Sequence, residues 1–122
     1  MKIKSFLEHQ STGYREVMYG MMDEFKQSRQ KEVFTDSEYQ EVAEIFEVDP
    51  FSYQIGKAFG EIAVVCRNGK SMTIQKLDDE YFTVAYFNPR FNYSKCYICD
   101  QFDALIRCLN MIKTKGWLTS NL

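Results

Sequence analysis

Histidine is almost missing from this sequence. The single one, His9, lies in a polar N-terminal stretch, so there is little from which to build the nucleophile and base of a hydrolytic triad. A second C-x-x-C pair is missing too, and the pair that exists, Cys96-Tyr97-Ile98-Cys99, sits in a run that alternates like a strand. A separation of three sends strand side chains to opposite faces, which a zinc or redox pair cannot use. The four cysteines, Cys66, Cys96, Cys99 and Cys108, therefore read as reduced thiols packed as small hydrophobes. Nor is there a phosphate cradle. Gly69-Lys70-Ser71 has Val64 where a P-loop needs glycine and a strand where it needs a helix, while Gly56 and Gly60 lack the third glycine of a dinucleotide fingerprint. Carboxylate neighbours such as Asp78 with Asp79, or Asp100 with Asp103, are accounted for by turn and cap roles. The expectation is a non-enzymatic protein with no cofactor and no metal.

Long apolar runs are also lacking. The longest, Ile62 to Cys66, falls far short of the roughly 20 residues a membrane helix needs. The opening MKIKSFLEHQST holds no apolar stretch of signal-peptide length, so a cytoplasmic protein is expected. At 122 residues the chain is read as one domain, 1–122, large enough to hold a core without staples. Positive charge is absent between Lys31 and Lys57, a span with seven acids: Glu32, Asp36, Glu38, Glu41, Glu44, Glu47 and Asp49. By count, residues 1–60 carry -4 and residues 61–122 carry +2, so the two halves differ in sign.

Aromatic residues are what the chain has in excess, with ten Phe, eight Tyr and one Trp making 16% of it. They concentrate around Phe59 to Cys99, where short apolar runs are each closed by a turn signal. Ile62–Arg67 and Ser71–Leu77 are predicted strands joined by a two-residue Asn68-Gly69 turn, in which both positions need positive φ. Asp78-Asp79-Glu80 supplies the next turn and Tyr81–Phe87 the third strand. Asn88-Pro89 interrupts the ladder, and Lys95–Cys99 is placed as a short fourth strand at an edge.

Helices are predicted on both sides of this meander. Ser5 with Glu8, and Thr35 with Glu38, have the spacing of capping boxes. Tyr14, Val17, Met18, Met21, Met22 and Phe25 recur at helical spacing, with Gly13 as a break before them. Tyr39, Val42, Ala43 and Phe46 do the same, with Glu38, Glu41, Glu44 and Glu47 on the opposite side. Asp49-Pro50 is the start signal for a short helix bearing Phe51, Ile55, Ala58 and Phe59. Asp100 is the expected cap of a last helix with Phe102, Leu105, Leu109 and Ile112 facing the core, ended by Gly116, with Trp117 and Leu118 folding back. The fold class is thus α+β, a three- to four-strand antiparallel meander packed against N-terminal amphipathic helices and one C-terminal helix.

This helix, meander, helix order resembles in outline the double-stranded-RNA-binding domain over Pro50 to Lys115. The last helix of that family opens with lysines that grip phosphate, whereas here the matching stretch is Asp100-Gln101-Phe102-Asp103, so the resemblance implies a topology and not RNA binding. The leading functional expectation is a protein-binding module of inhibitor, immunity or adaptor type. It would offer Asp36, Glu38, Glu41, Glu44 and Glu47, with the rings of Tyr86 and Tyr93, to a basic partner surface such as that of a nucleic-acid-processing enzyme. The alternative is single-stranded nucleic-acid binding by the rings Tyr81, Phe82, Tyr86, Phe87, Phe91, Tyr93 and Tyr97, interleaved with Arg90 and Lys95. Against it, Arg67, Lys70, Lys76, Arg90 and Lys95 are dispersed in sequence. An edge strand and surplus rings would suit a homodimer as readily as a foreign partner.

Overall fold

The computed structural model describes residues 13–48, 52–58, 60–116 and 118. Its centre is a five-strand antiparallel meander: β3 (Tyr53–Ala58), β4 (Glu61–Cys66), β5 (Ser71–Leu77), β6 (Tyr81–Asn88) and β7 (Tyr93–Asp100). A strand from before the meander, β1 (Tyr14–Val17), pairs with the outer side of β7, giving the order β1-β7-β6-β5-β4-β3. The two-residue β2 (Lys31–Glu32) pairs with Leu77 and Lys76 of β5, beyond the residues that β4 reaches. The described residues also form three α-helices, α1 (Tyr19–Gln27), α2 (Asp36–Glu47) and α3 (Phe102–Thr114). The class is α+β with a seven-strand antiparallel sheet, larger than the three or four strands expected.

Strand alternation divides the sheet into two unequal faces. On one, Ile62, Val64, Met72, Ile74, Phe82 and Val84 pack under Val42 and Phe46 of α2 and Leu105, Leu109 and Ile112 of α3. Each fully buried aliphatic or aromatic side chain contributes about 1.5–3 kcal/mol, so this face carries most of the stability. On the other face α1 covers one region only, where Met22 and Phe25 meet Leu77, Cys96 and Ile98. Arg29, just past α1, lays its guanidinium 4.5 Å from the Phe25 ring centre and 4.4 Å from that of Tyr81, and lies 3.5 Å from Asp78. Set against both rings of this edge-to-face pair, the cation ties the end of α1 to the sheet.

Several local expectations hold. Thr35 and Glu38 form the reciprocal capping box of α2. Ser71–Leu77 is a strand with those bounds. Leu105, Leu109 and Ile112 are buried, with Phe102 packed against the same core, and Gly116, at φ +69°, follows the end of α3. Leu118 folds back fully buried, its carbonyl accepting from Asn68 Nδ2 at 2.9 Å. Cys96 and Cys99 lie on opposite faces, in different clusters, and all four cysteines are free and buried.

Other expectations are corrected. Tyr14–Val17 is a strand and not the start of a helix, because β7 is buried on both faces and its outer edge takes a partner; Tyr14 meets Tyr97 edge to face at 6.0 Å. That addition also makes β7 an inner, eight-residue strand instead of a short edge. Residues 53–58 form β3 and not a helix, since Tyr53 and Ile55 alternate onto the main core. The resemblance to the double-stranded-RNA-binding domain goes with it, because its first helix falls there. The β4–β5 connection is a three-residue loop, Arg67-Asn68-Gly69, in which Gly69 N–H donates to Cys66 O at 3.0 Å and Cys66 N–H to Lys70 O at 2.8 Å. Only Gly69 there has positive φ, +92°, as the one left-handed position of such a loop requires. Asp100 ends β7, where its amide donates to Gly13 O at 3.1 Å, and Gln101 precedes α3 without a side-chain cap. The Ser5–Glu8 box, Asp49-Pro50, Phe51, Phe59 and Trp117 lie outside the described residues.

Candidate functional site

The acidic face of α2 is built outward from its capping box. Glu38 Oε1 accepts from the Thr35 amide at 2.9 Å while Thr35 Oγ1 accepts from the Glu38 amide at 3.2 Å, which fixes the first turn. The same carboxylate oxygen accepts from Lys76 Nζ at 2.9 Å, so the helix start is moored to the end of β5. Burial by itself would raise the Glu38 carboxyl, but its hydrogen bonds to Lys76 and Thr35 prevail and hold it below its ordinary value. Glu38 is therefore committed inward and does not stand with Glu41, Glu44 and Glu47 as helical spacing suggested. Farther along, Val42 and Phe46 are buried, Phe46 meeting Tyr53 at 5.3 Å, and Lys113 donates to Ile45 O.

That anchoring turns Glu41, Glu44 and Glu47 to solvent, and they make no ion pair among the described residues. Asp36 is exposed as well, 3.6 Å from Lys57, which sits 5.1 Å from the Tyr39 ring centre. No basic residue occupies the last turn of α2, where Glu47 stands against the negative end of the helix dipole. Like charges three residues apart add a further small cost.

Beside the N-terminus of α2 lies a depression of about 300 Å³ lined by Glu38, Lys76, Glu80, Phe82, Phe102 and Asp103. Phe82 and Phe102 meet there edge to face at 5.8 Å. Two non-glycine residues at this end have left-handed backbone, Glu80 at φ +63° and Gln101 at φ +122°. Sequence reasoning assigned Glu80 to a turn and Asp103 to a helix start; only the register, which brings the β5–β6 turn and the β7–α3 junction to one end of the sheet, puts them together.

Tyr86 and Tyr93 are not part of this surface. Tyr86 is 4% exposed inside the main core, which corrects its reading as an available ring; burial, then Cys66 and Tyr93, push its phenol up. Tyr93 is exposed, 6.4 Å from Tyr86, on the distant β6–β7 hairpin. The four thiols are buried; burial lifts Cys66 to about 11 against an opposing pull from Lys70, and a hydrogen bond with Cys108 together with burial raises Cys99. Among the described residues no group of His, Cys, Asp or Glu is placed to hold a metal, and no helix is long and apolar enough to cross a membrane. No protein-family model, curated protein or solved structure matches this chain.

Proposed function

We propose that this chain is a protein-binding module, of inhibitor, immunity or adaptor type, that receives a basic surface of a partner on the outer face of α2. The observation that supports this most is the placement of Glu41, Glu44 and Glu47: exposed, without ion pairs among the described residues, and running toward the end of the helix where negative charge costs stability. A solvated face chosen for solubility has no need of one sign at the unfavourable end. The depression beside Glu38 extends the reading, since the carboxylates of Glu80 and Asp103 over two phenyl rings suit the head and stem of a partner lysine or arginine.

The test is a pull-down at low and high salt with nuclease treatment, repeated with the E41K/E44K/E47K variant. Three exposed pairs at roughly 0.2–1 kcal/mol each predict a loss of about 3- to 160-fold in affinity. A protein retained at low salt, resistant to nuclease, released at high salt and lost by the variant supports the proposal. Equal retention by the variant would sink it.

A further inference from the structure

β3 ends the sheet on the side opposite β1, and its ladder to β4 fixes which of its backbone groups point outward. Arg67 N–H donates to Ser52 O at 3.2 Å, and Cys66 N–H turns the other way, donating to Lys70 O at 2.8 Å. In an antiparallel ladder bonded rungs alternate with unbonded ones, so Gln54 with Val65 and Gly56 with Ala63 are bonded pairs. Ile55 and Lys57 therefore aim N–H and C=O away from β4, and among the described residues no strand pairs with that side. The edge carries little of the usual protection. Tyr53–Ala58 pairs without a bulge and holds no proline, and Lys57, its one charge, is drawn up to Asp36 at 3.6 Å and the Tyr39 ring at 5.1 Å.

A charged flank runs above this edge. Asp36, Gln40, Glu44 and Glu47 recur at spacings of four, four and three, which is one stripe of α2. Asp36 meets Lys57 and Phe46 meets Tyr53 at 5.3 Å, so the helix lies along β3. Its opposite flank faces inward, Glu38 to Lys76 of β5 and Ile45 to Lys113 of α3, which leaves the stripe on the side of the open edge. We propose that the partner's basic surface is an extended segment that adds a strand to β3, with lysines or arginines at alternate positions beneath Glu44 and Glu47. This rests on the reading of α2 as the partner-binding face. An extended backbone supplies N–H and C=O at the spacing of Ile55 and Lys57. Residues hydrogen-bonded opposite these two send their side chains to the face of Ile55, which packs on the core under α2, so their charge has to complement the acids. A second copy does not fit, because a two-fold axis at β3 would set one acid stripe beside the other.

The experiment is an NMR titration of the full chain, with amide exchange, using the peptide Thr-Val-Thr-Lys-Thr-Lys-Thr and two N-methylated forms of equal charge. One is methylated at both lysines, the other at the threonines that precede them. The unmodified and threonine-methylated forms are expected to bind and to slow exchange at the Ile55 and Lys57 amides, and the lysine-methylated form to bind about tenfold more weakly, because the lysines are the residues that bond β3. On the protein side, Lys57→Pro keeps every bond to β4 and removes an edge donor, whereas Lys57→Thr keeps the donor. Both variants release Asp36, so charge alone predicts tighter binding in each; strand addition predicts about tenfold weaker binding by Lys57→Pro than by Lys57→Thr. If Lys57→Pro fails to fold, the methylated peptides decide without it. Equal binding of the two methylated forms overturns the inference, and its loss in E44K/E47K would then leave the acidic face standing alone. No binding by any form also overturns it, with the pull-down judging the acidic face separately. Slow exchange at Ile55 and Lys57 in the chain alone overturns it in favour of an edge already paired, by a second copy if sedimentation shows a dimer and within the chain if it does not.

Discussion

The two faces of the sheet obey opposite rules. Under α2 and α3 the inward positions are large and interlocked, from Ile62 and Val64 through Met72 and Ile74 to Phe82 and Val84. On the reverse, outside the patch that α1 covers, the same strands mix the small residues Gly56, Ala63, Ser71 and Thr73 with Gln54, Glu61, Val65, Gln75 and Phe87. Strand β5 shows the contrast within one element: Met72 and Ile74 are buried while Ser71 and Thr73, one residue away, line an open trough. The first face makes the fold, so its residues are constrained by volume. The second mixes small residues with Glu61, Gln75, Val65 and Phe87 and is covered only in part, so its residues are less constrained by volume.

The sharpest way to break this comparison is to truncate one residue on each face. Leu109→Ala, fully buried under the first face, is expected to cost about 2–5 kcal/mol in urea unfolding. Phe87→Ala on the second is expected to stay within about 0.5 kcal/mol, as exposed substitutions do. Comparable losses at both would mean that the trough is covered in solution and that the difference between the faces is spurious.

This division was only half visible in the sequence. Alternation within a strand is local, so the partition of Phe82, Val84 and Tyr86 from Tyr81, Thr83 and Ala85 could be read directly, as could the opposed Cys96 and Cys99. The Thr35–Glu38 box was legible for the same reason, since every group in it lies within four residues. Short edge strands were not. In a segment as brief as Tyr14–Val17, two apolar residues three apart satisfy a helix as well as a strand, and the unpaired edge of β7 settles the matter from 80 residues away. The trough and the depression beside Glu38 were illegible for a stronger reason: each is assembled from several strands or junctions whose register no single stretch encodes.

The next largest effect lies where the second face ends and α3 begins. Gln101 has φ +122° and ψ 158°, a region that glycine occupies freely and other residues at a cost of roughly 1–3 kcal/mol. Gln101→Gly should therefore raise stability by about 1 kcal/mol after the entropy that glycine adds to the unfolded chain. If the variant is less stable instead, the Gln101 side chain holds the junction and the strain assignment fails. Smaller again is Glu47→Lys. Reversing charge at the C-terminal end of α2 should stabilise the fold by about 0.3–1 kcal/mol while weakening the partner complex. A variant that loses stability and keeps binding would separate the acidic face from both its cost and its use.

The smallest effect concerns two acids that tie neighbouring elements together, Glu38 joining α2 to β5 and Glu61 joining β4 to β2. Glu38 and Glu61 both sit below the ordinary carboxyl value of 4.5: Glu38 because Lys76 and Thr35 outweigh burial, Glu61 chiefly through Lys31, against burial and aided by Gln75. A depressed folded value means that the unfolded chain takes up protons first. The contribution is complete above the unfolded value and is lost as pH falls through the folded one. The unfolding midpoint should stay level from neutral pH to about 5 and decline below 4.5. Partial exposure keeps that decline modest, because solvent screens both pairs. Glu38→Gln retains an acceptor for the Thr35 amide but loses the charge, so it should lower the midpoint at neutral pH and flatten the acid limb. An unchanged acid limb would show that the tie between α2 and β5 is a hydrogen bond indifferent to charge, and would move the pH dependence to Glu61 and the Lys31 strand.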